Sequence, residues 1–138
     1  MLLLMKKFML IVLVSGLATQ NLRAETWELT NIKGYSARGN NIPKYKYEND
    51  ELPETITLTF NENTGEVSGT SIKFVRHGKY TLVGVALQEG FETVVVYQID
   101  RQRNKVLISQ SRISDKFAEI LIPNRIWSFV GDARLIRN

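Results

Sequence analysis

The alternation of apolar and polar residues along the chain predicts β-strands. The clearest case is segment 55–60, where Ile56, Leu58 and Phe60 alternate with three threonines. Because successive side chains of a strand point to opposite faces, this pattern gives one buried face and one polar face. Weaker forms of the pattern predict further strands at 27–30, 45–47, 67–75, 106–112 and 127–136.

Segment 79–105 predicts two long strands joined by a tight turn at 88–90. Apolar residues occupy both faces of the first strand, with Val83 and Val85 on one side and Leu82 on the other. A strand that is apolar on both sides is typically covered on both sides. We therefore expect this hairpin in the middle of the sheet, with neither face open to water.

Turn-forming residues separate the predicted strands. Segment 34–43 is rich in Gly, Asn and Ser and predicts a loop, and Pro53 ends the short edge strand that follows it. Gly69 predicts a β-bulge inside one continuous strand. Segment 114–122 fits a helix and a strand equally well.

Some eight short strands with frequent turns predict an all-β fold, either a small antiparallel barrel or a sandwich. The sequential hairpins favour an up-and-down meander, with a short helix near 114–122 as an open alternative. We expect one β domain at 25–138, because no repeat or low-complexity linker interrupts it.

The first 24 residues have the pattern of a cleaved export signal. Lys6 and Lys7 precede the apolar segment 8–14, and small residues up to Ala24 allow cleavage, with Ala18 as an alternative. Seven apolar residues are far fewer than the roughly 20 that span a bilayer. The sequence therefore predicts a periplasmic or secreted protein of a bacterial envelope, without stable membrane insertion after cleavage.

Removal of this signal changes the charge balance. The chain carries 18 Lys and Arg against 14 Asp and Glu, but Lys6, Lys7 and Arg23 belong to the signal, which leaves 15 against 14. A net charge of +1 does not favour a nucleic-acid partner. The absence of cysteine from the sequence excludes disulfides, thiol chemistry, thiolate metal sites and a cysteine-linked lipid anchor.

Few residues suggest catalysis. His77 is the single histidine, and it lies in a predicted turn, whereas a zinc site or a catalytic triad needs several partners. The sequence contains neither G-x-S-x-G nor H-E-x-x-H, and we expect no catalytic residue, metal or cofactor. A hydrolase that uses paired carboxylates remains a third hypothesis. Its densest acidic group is more typical of solvated surface and comprises Glu48, Asp50, Glu51 and Glu54.

Two groups of residues are candidates for binding. One group of aromatic and basic residues resembles a binding stripe but also fits an edge strand kept soluble by lysine: Tyr35, Lys44, Tyr45, Lys46 and Tyr47. In a meander, alternate turns share one end of the sheet. This rule predicts that the turns at 61–65 and 88–90 lie at one end of the sheet and that those at 76–78 and 100–104 lie at the other. The second pair predicts a basic binding cluster of Arg76, His77, Lys79, Arg101, Arg103, Lys105 and, from a further turn, Arg125.

The leading functional hypothesis is a non-enzymatic binding module. Its partner would be a protein, an envelope polymer or an anionic ligand that meets the basic turns. The alternative is a lipocalin-like carrier of a small apolar ligand. Bulky inward residues such as Leu82 and Phe60 instead predict a packed interior. We also expect Trp27 and Trp127 to lie at a seam between the first and last strands.

The first half of the mature chain resembles META-domain proteins, which are small exported bacterial β-proteins. The resemblance rests on TWELTNIKG at 26–34, ITLTF at 56–60 and GEVSG at 65–69. It breaks after Gly69, where Thr-Ser-Ile replaces the Gly-Cys-Asn of that family. The second half, with YQIDR at 97–101 and FVGD at 129–132, is similar to small exported bacterial proteins without an assigned role. Neither resemblance implies a catalytic residue here.

Overall fold

The computed structural model describes residues 23–40 and 43–138, so almost all of the predicted signal at 1–24 lies outside the described residues. The fold is all-β, as predicted, with one 3-10 turn at Ala118–Ile120. The strands are β1 (Glu25–Arg38), β2 (Tyr47–Leu52), β3 (Ile56–Phe60), β4 (Thr64–Val67), β5 (Phe74–Arg76), β6 (Thr81–Gln88), β7 (Phe91–Asp100), β8 (Lys105–Ser114) and β9 (Arg125–Arg137).

The strands form a closed antiparallel barrel. From β3 to β9 each strand pairs with the next, and β9 then pairs with β1, which closes a ring of eight strands. The other edge of β1 is shared, because Glu25–Leu29 pairs with β3 and Ile32–Ala37 pairs with β2. β2 therefore lies outside the closed ring, and β1 is bonded to three strands.

Inward side chains fill the barrel. The largest fully buried side chains come from β1, β3, β5, β6 and β8: Leu29, Ile32, Leu58, Phe60, Phe74, Leu82 and Val106. Glycines make room for them, since a Cβ on Gly84 would lie 2.6 Å from the ring of Phe74. The predicted packed interior is confirmed at Phe60 and Leu82, which are completely buried.

Several predicted boundaries are wrong for identifiable reasons. The loop predicted at 34–43 is strand as far as Arg38, because Gly34 allows β1 and β9 to approach closely. A Cβ at Gly34 would lie 1.9 Å from the carbonyl oxygen of Ser128. The strand predicted at 45–47 is also misplaced, because β2 begins only at Tyr47 and continues to Leu52, while Tyr45 lies in the turn before it with φ 56. The single strand predicted at 67–75 is instead two strands, β4 and β5, separated by a turn at 68–73.

The predicted hairpin is β6–β7, and it lies within the sheet as expected. The prediction that both of its faces are covered is wrong, because Val85, Leu87 and Val94 are exposed on the outer face. A closed barrel buries only the inward face of each strand, so the outer face of the β6–β7 hairpin stays in water. Valine is favoured in strands on either face, which accounts for apolar residues that are not buried.

The barrel has two distinct ends. We call the end where β1 begins the proximal end, and it contains the turns at 61–63, 77–80 and 101–104. The distal end, where β1 stops, contains the connections at 39–46, 68–73, 89–90 and 115–124. The prediction that 61–65 and 88–90 share an end is wrong, because the additional turn at 68–73 reverses their order. Within the part of the chain described, no helix is long and apolar enough to cross a membrane.

Candidate functional site: arginines at the two barrel ends

Arg76 is buried at the proximal end, where its side chain bonds to the backbone of the surrounding turns. Its guanidinium lies 5.0 Å from the ring centroid of Phe60. It donates hydrogen bonds to four backbone carbonyls, those of Arg23, Asn61, Gly78 and Lys79. Burial lowers the pKa of Arg76, an effect that Glu25 opposes and Arg101 reinforces. Even without Arg23, which belongs to the predicted signal, this side chain joins the β3–β4 and β5–β6 turns and is not free to bind a partner.

Most other cations predicted at the proximal end are paired with carboxylates. Arg101 bonds to Glu25, and its guanidinium lies 5.7 Å from the ring centroid of Trp27. Arg103 pairs with Asp100 at 3.1 Å, and Lys105 pairs with Asp132. His77 and Lys79 are exposed in the β5–β6 turn. The structure brings these six residues to one end but compensates much of their charge.

Arg125 does not join the proximal cluster and lies at the distal end. Its Nη2 donates to Asp50 Oδ2 at 2.7 Å and to Ser36 Oγ at 3.0 Å. Its Cα is directly opposite that of Arg38 on β1 and that of Arg112 on β8. Three adjacent strands thus carry three arginines in one cross-strand row, which we call the arginine row: Arg38, Arg112 and Arg125.

Two arginines of the row lie beside Trp127. The guanidiniums of Arg125 and Arg112 lie 4.6 and 5.2 Å from the centroid of the indole ring. Arg112 also donates two hydrogen bonds to the carbonyl of Pro123, at 2.9 and 3.2 Å. Trp127 is only partly buried. An aromatic face bounded by guanidiniums therefore lies at the distal end of the barrel.

Like charges in this row repel each other. Burial and then repulsion from Arg38 lower the pKa of Arg125, although Asp50 and Glu48 oppose the decrease. Burial, followed by Arg125 and Arg38, lowers the pKa of Arg112. Among the described residues, the buried Nε of Arg125 has no hydrogen-bond acceptor. A guanidinium stays protonated at ordinary pH, so this arrangement suits anion binding and not proton transfer.

Asp50 of β2 does not have the pKa shift of a general acid. Burial alone would raise the pKa of Asp50, but hydrogen bonds with Ser36 and Glu51 and the charge of Arg125 lower it overall. A general acid needs the opposite shift. Glu48 and Glu51 are exposed on the same strand, and Glu54 is exposed in the turn after it.

Two of the predicted tyrosines line an open apolar groove. Tyr45 and Tyr47 lie beside Ala37, Ile113 and Ile126 in a groove of about 340 Å³ that Arg112 and Arg125 also line. Tyr35 is exposed on the same outer face of β1, two positions from Ala37. Sequence reasoning missed the two isoleucines. Strand parity could have placed them, because both fall on the outer face of the barrel.

A second feature of the distal end was predicted only as ambiguous secondary structure. The connection between β8 and β9 carries the three most exposed large apolar side chains described: Phe117 (84%), Ile120 (77%) and Leu121 (87%). We call residues 115–124 the apolar loop. The spacing of the three residues was visible in the sequence, but segment 114–122 fitted a helix and a strand equally well and predicted no exposed apolar surface.

Neither protein-family models, curated proteins nor solved structures give a match to this chain. In residues 23–40 and 43–138, no group of three or more His, Cys, Asp and Glu side chains is placed to hold a metal ion. The side-chain geometry of the distal end therefore carries the functional argument.

Proposed function

We propose that this protein is a non-enzymatic, exported binding module that recognises an anionic group through the arginine row. The observation that carries the proposal is the row itself, in which Arg125 lies directly between Arg38 and Arg112 on neighbouring strands. Like charges in directly opposite positions destabilise a sheet. An arrangement that costs stability without a ligand is a sound candidate for a binding site.

The charge balance around the row favours an anion. Asp50 is the one carboxylate bonded to Arg125 among the described ion pairs, and Arg112 bonds to a neutral carbonyl. Guanidinium groups bind phosphate, sulfate and carboxylate oxygens with paired N–H donors. A bound oxyanion would reduce the repulsion within the row and offer acceptors to donors that now lack them.

The two other hypotheses have less support. A carrier of an apolar ligand needs an empty interior, whereas Phe60, Phe74 and Leu82 are fully buried inside the barrel. A carboxylate hydrolase needs one protonated acid, and the lowered pKa of Asp50 does not suit it to that role. The proximal basic turns predicted from the sequence have most of their cations paired with carboxylates.

The two tryptophans allow a direct test, because each indole lies beside arginines of one end. We expect titration with inorganic tripolyphosphate to shift the indole N–H resonance of Trp127 and to leave that of Trp27 in place. Binding should weaken about tenfold or more as the salt concentration rises, because charge contacts are screened. The measurement is a ¹H–¹⁵N spectrum of the labelled protein, with Trp127→Phe used to assign the signal.

Matched charge variants complete this test. Arg38→Gln with Arg112→Gln should abolish the shift, while Arg103→Gln with Lys105→Gln at the proximal end should preserve it. A shift of Trp27 instead, lost in the second variant, would move the site to the basic turns. No shift of either indole at low salt would reject anion recognition at both ends.

A further inference from the structure

The apolar loop is held in a defined conformation by its own hydrogen bonds. Asp115 Oδ1 accepts the backbone N–H groups of Phe117 and Ala118 at 3.0 and 2.8 Å. The N–H of Asp115 donates to the carbonyl of Gly90 at 2.8 Å. Ser114 Oγ donates to the carbonyl of Ile122 at 2.5 Å, which joins the two ends of the loop. The exposed side chains therefore project from an ordered turn.

The orientation of this turn is also fixed. Ala118 faces the β6–β7 hairpin, where a Cβ on Gly90 would lie 3.0 Å from the methyl group of Ala118. Phe117, Ile120 and Leu121 are at least 77% exposed, so they point away from that contact. No residue of the 3-10 turn is buried. The turn thus presents three large apolar side chains at a protruding tip instead of in a groove.

The tip is continuous with the arginine row. Pro123, within the loop, accepts both hydrogen bonds of Arg112. Lys116 lies in the loop, and the connection between β1 and β2 at the same end carries Lys44 and Lys46. These two connections and the row together hold six cations against Glu48, Asp50, Asp115 and Glu119, an excess of two that Glu89 and Glu92 of the adjacent hairpin cancel. The excess of positive charge is therefore local to the row, where three arginines lie near Asp50 and Glu48.

We propose that the distal end docks reversibly on an anionic lipid bilayer, with the apolar loop entering the acyl boundary and the arginine row meeting headgroup phosphates. Protruding apolar side chains backed by cations match a surface that is apolar below and anionic above. Tyr45 and Tyr47 are exposed at the same end, and tyrosine is favoured at the level of lipid headgroups. This inference rests on the proposed anion site and names its partner.

The test is co-sedimentation of the full chain with vesicles of phosphatidylcholine alone or with about one third phosphatidylglycerol. We expect the triple variant Phe117→Ser, Ile120→Ser and Leu121→Ser to reduce binding to anionic vesicles about tenfold or more, because three apolar side chains no longer insert. The matched control is Leu107→Ser with Val130→Ser. These two half-exposed residues are cross-strand partners on the outer face, nearer the proximal end. The control variant should bind anionic vesicles as well as the parent does.

Charge variants separate the lipid inference from the anion site. Glu119→Lys should strengthen binding to anionic vesicles, and Arg38→Gln with Arg112→Gln should remove the preference for them over neutral ones. Equal binding by the parent and the triple variant would overturn the lipid inference. So would an absence of vesicle binding with the tripolyphosphate shift of Trp127 intact, which would leave the anion site standing.

Two more outcomes also decide the question. Vesicle binding that needs the loop but ignores lipid charge, together with an unmoved Trp127 resonance, would reject the arginine row as the anion site and with it the proposed docking mode. Concentration-dependent self-association that the triple variant abolishes, without vesicle binding, would assign the loop to a protein contact. Circular dichroism should show the parent spectrum for all variants, since each changed side chain is exposed or partly exposed.

Discussion

Arginine side chains stack on aromatic rings at both ends of the barrel. Arg76 and Arg101 lie over Phe60 and Trp27 at the proximal end, and two guanidiniums of the arginine row lie beside Trp127 at the distal end. A guanidinium on an aromatic face keeps its donors available at its edge. At the proximal end backbone carbonyls and carboxylates occupy these donors, whereas at the distal end some donors remain for a ligand.

The two tryptophans should therefore differ in their contribution to stability. Trp27 is 3% exposed, and Trp27→Ala should lower the free energy of unfolding by about 3–5 kcal/mol through the cavity it leaves. Trp127 is only partly buried, and Trp127→Ala should cost about 1–3 kcal/mol. Denaturant midpoints measure both values. Equal losses for the two variants would show that the distal indole is part of the core and not of a binding face.

Strand β1 determines the architecture at the scale of elements. Its fourteen residues pair with β9 along nearly their whole length and with β2 and β3 on the other edge. The register with β9 shifts between Thr30 and Lys33, but β1 and β9 remain paired on both sides of the shift. On the other edge of β1, the partner changes from β3 to β2 over the same stretch. Removal of this strand would open the barrel and would also leave β2 without the strand it pairs with.

Gly34 is the point where this seam tolerates no side chain. Gly34→Ala would place a methyl group 1.9 Å from the carbonyl oxygen of Ser128, so β1 and β9 would have to separate. We expect a loss of about 3 kcal/mol or more, measured as a decrease in the denaturant midpoint. The comparison variant is Gly69→Ala, which has open space but φ +80 and should cost only about 1 kcal/mol. Similar losses in both variants would contradict tight closure at Gly34.

The fold of the whole molecule was more predictable than its site. Local alternation reveals β3 and the β6–β7 hairpin, because the side-chain period of a strand is visible in a few residues. The arginine row is not visible, since positions 38, 112 and 125 meet only after the barrel closes. Segment 68–73 was predicted as strand with a bulge at Gly69, whereas it is an additional turn. This turn places 61–63 at the opposite end from 89–90, while the predicted pairing of the turns at 76–78 and 100–104 is unaffected.

Acid should destabilise the whole molecule through its carboxylates. The pKa values of Asp50, Asp100 and Asp132 all lie below their ordinary value of 3.8 in the folded chain. As the pH falls, the unfolded chain therefore binds protons before the folded chain does. The stability that these carboxylates contribute above pH 3.8 is lost as the pH decreases through their pKa values in the folded chain. Unfolding midpoints between pH 6 and about pH 2 should fall most steeply below about pH 4.

Asp50→Asn isolates one part of this acid response. The asparagine cannot be protonated in this range, so the variant should be less stable than the parent near neutral pH and should lose less stability below about pH 4. Glu54→Gln is a suitable comparison, because this exposed residue in the turn after β2 lies outside the described ion pairs. An unchanged acid slope in Asp50→Asn would show that the bond to Arg125 does not contribute to folding.

The seam between β1 and β9 also determines when the molecule can fold. Contacts such as that between Glu28 and Arg134 join residues 106 positions apart, so the ring closes only when the final strand is present. Such distant contacts lower the folding rate, because a long stretch of chain must be ordered before they stabilise it. A nascent chain that lacks β9 leaves the long edge of β1 unpaired, and this exposed edge would be the point at which a chaperone or another chain competes with folding.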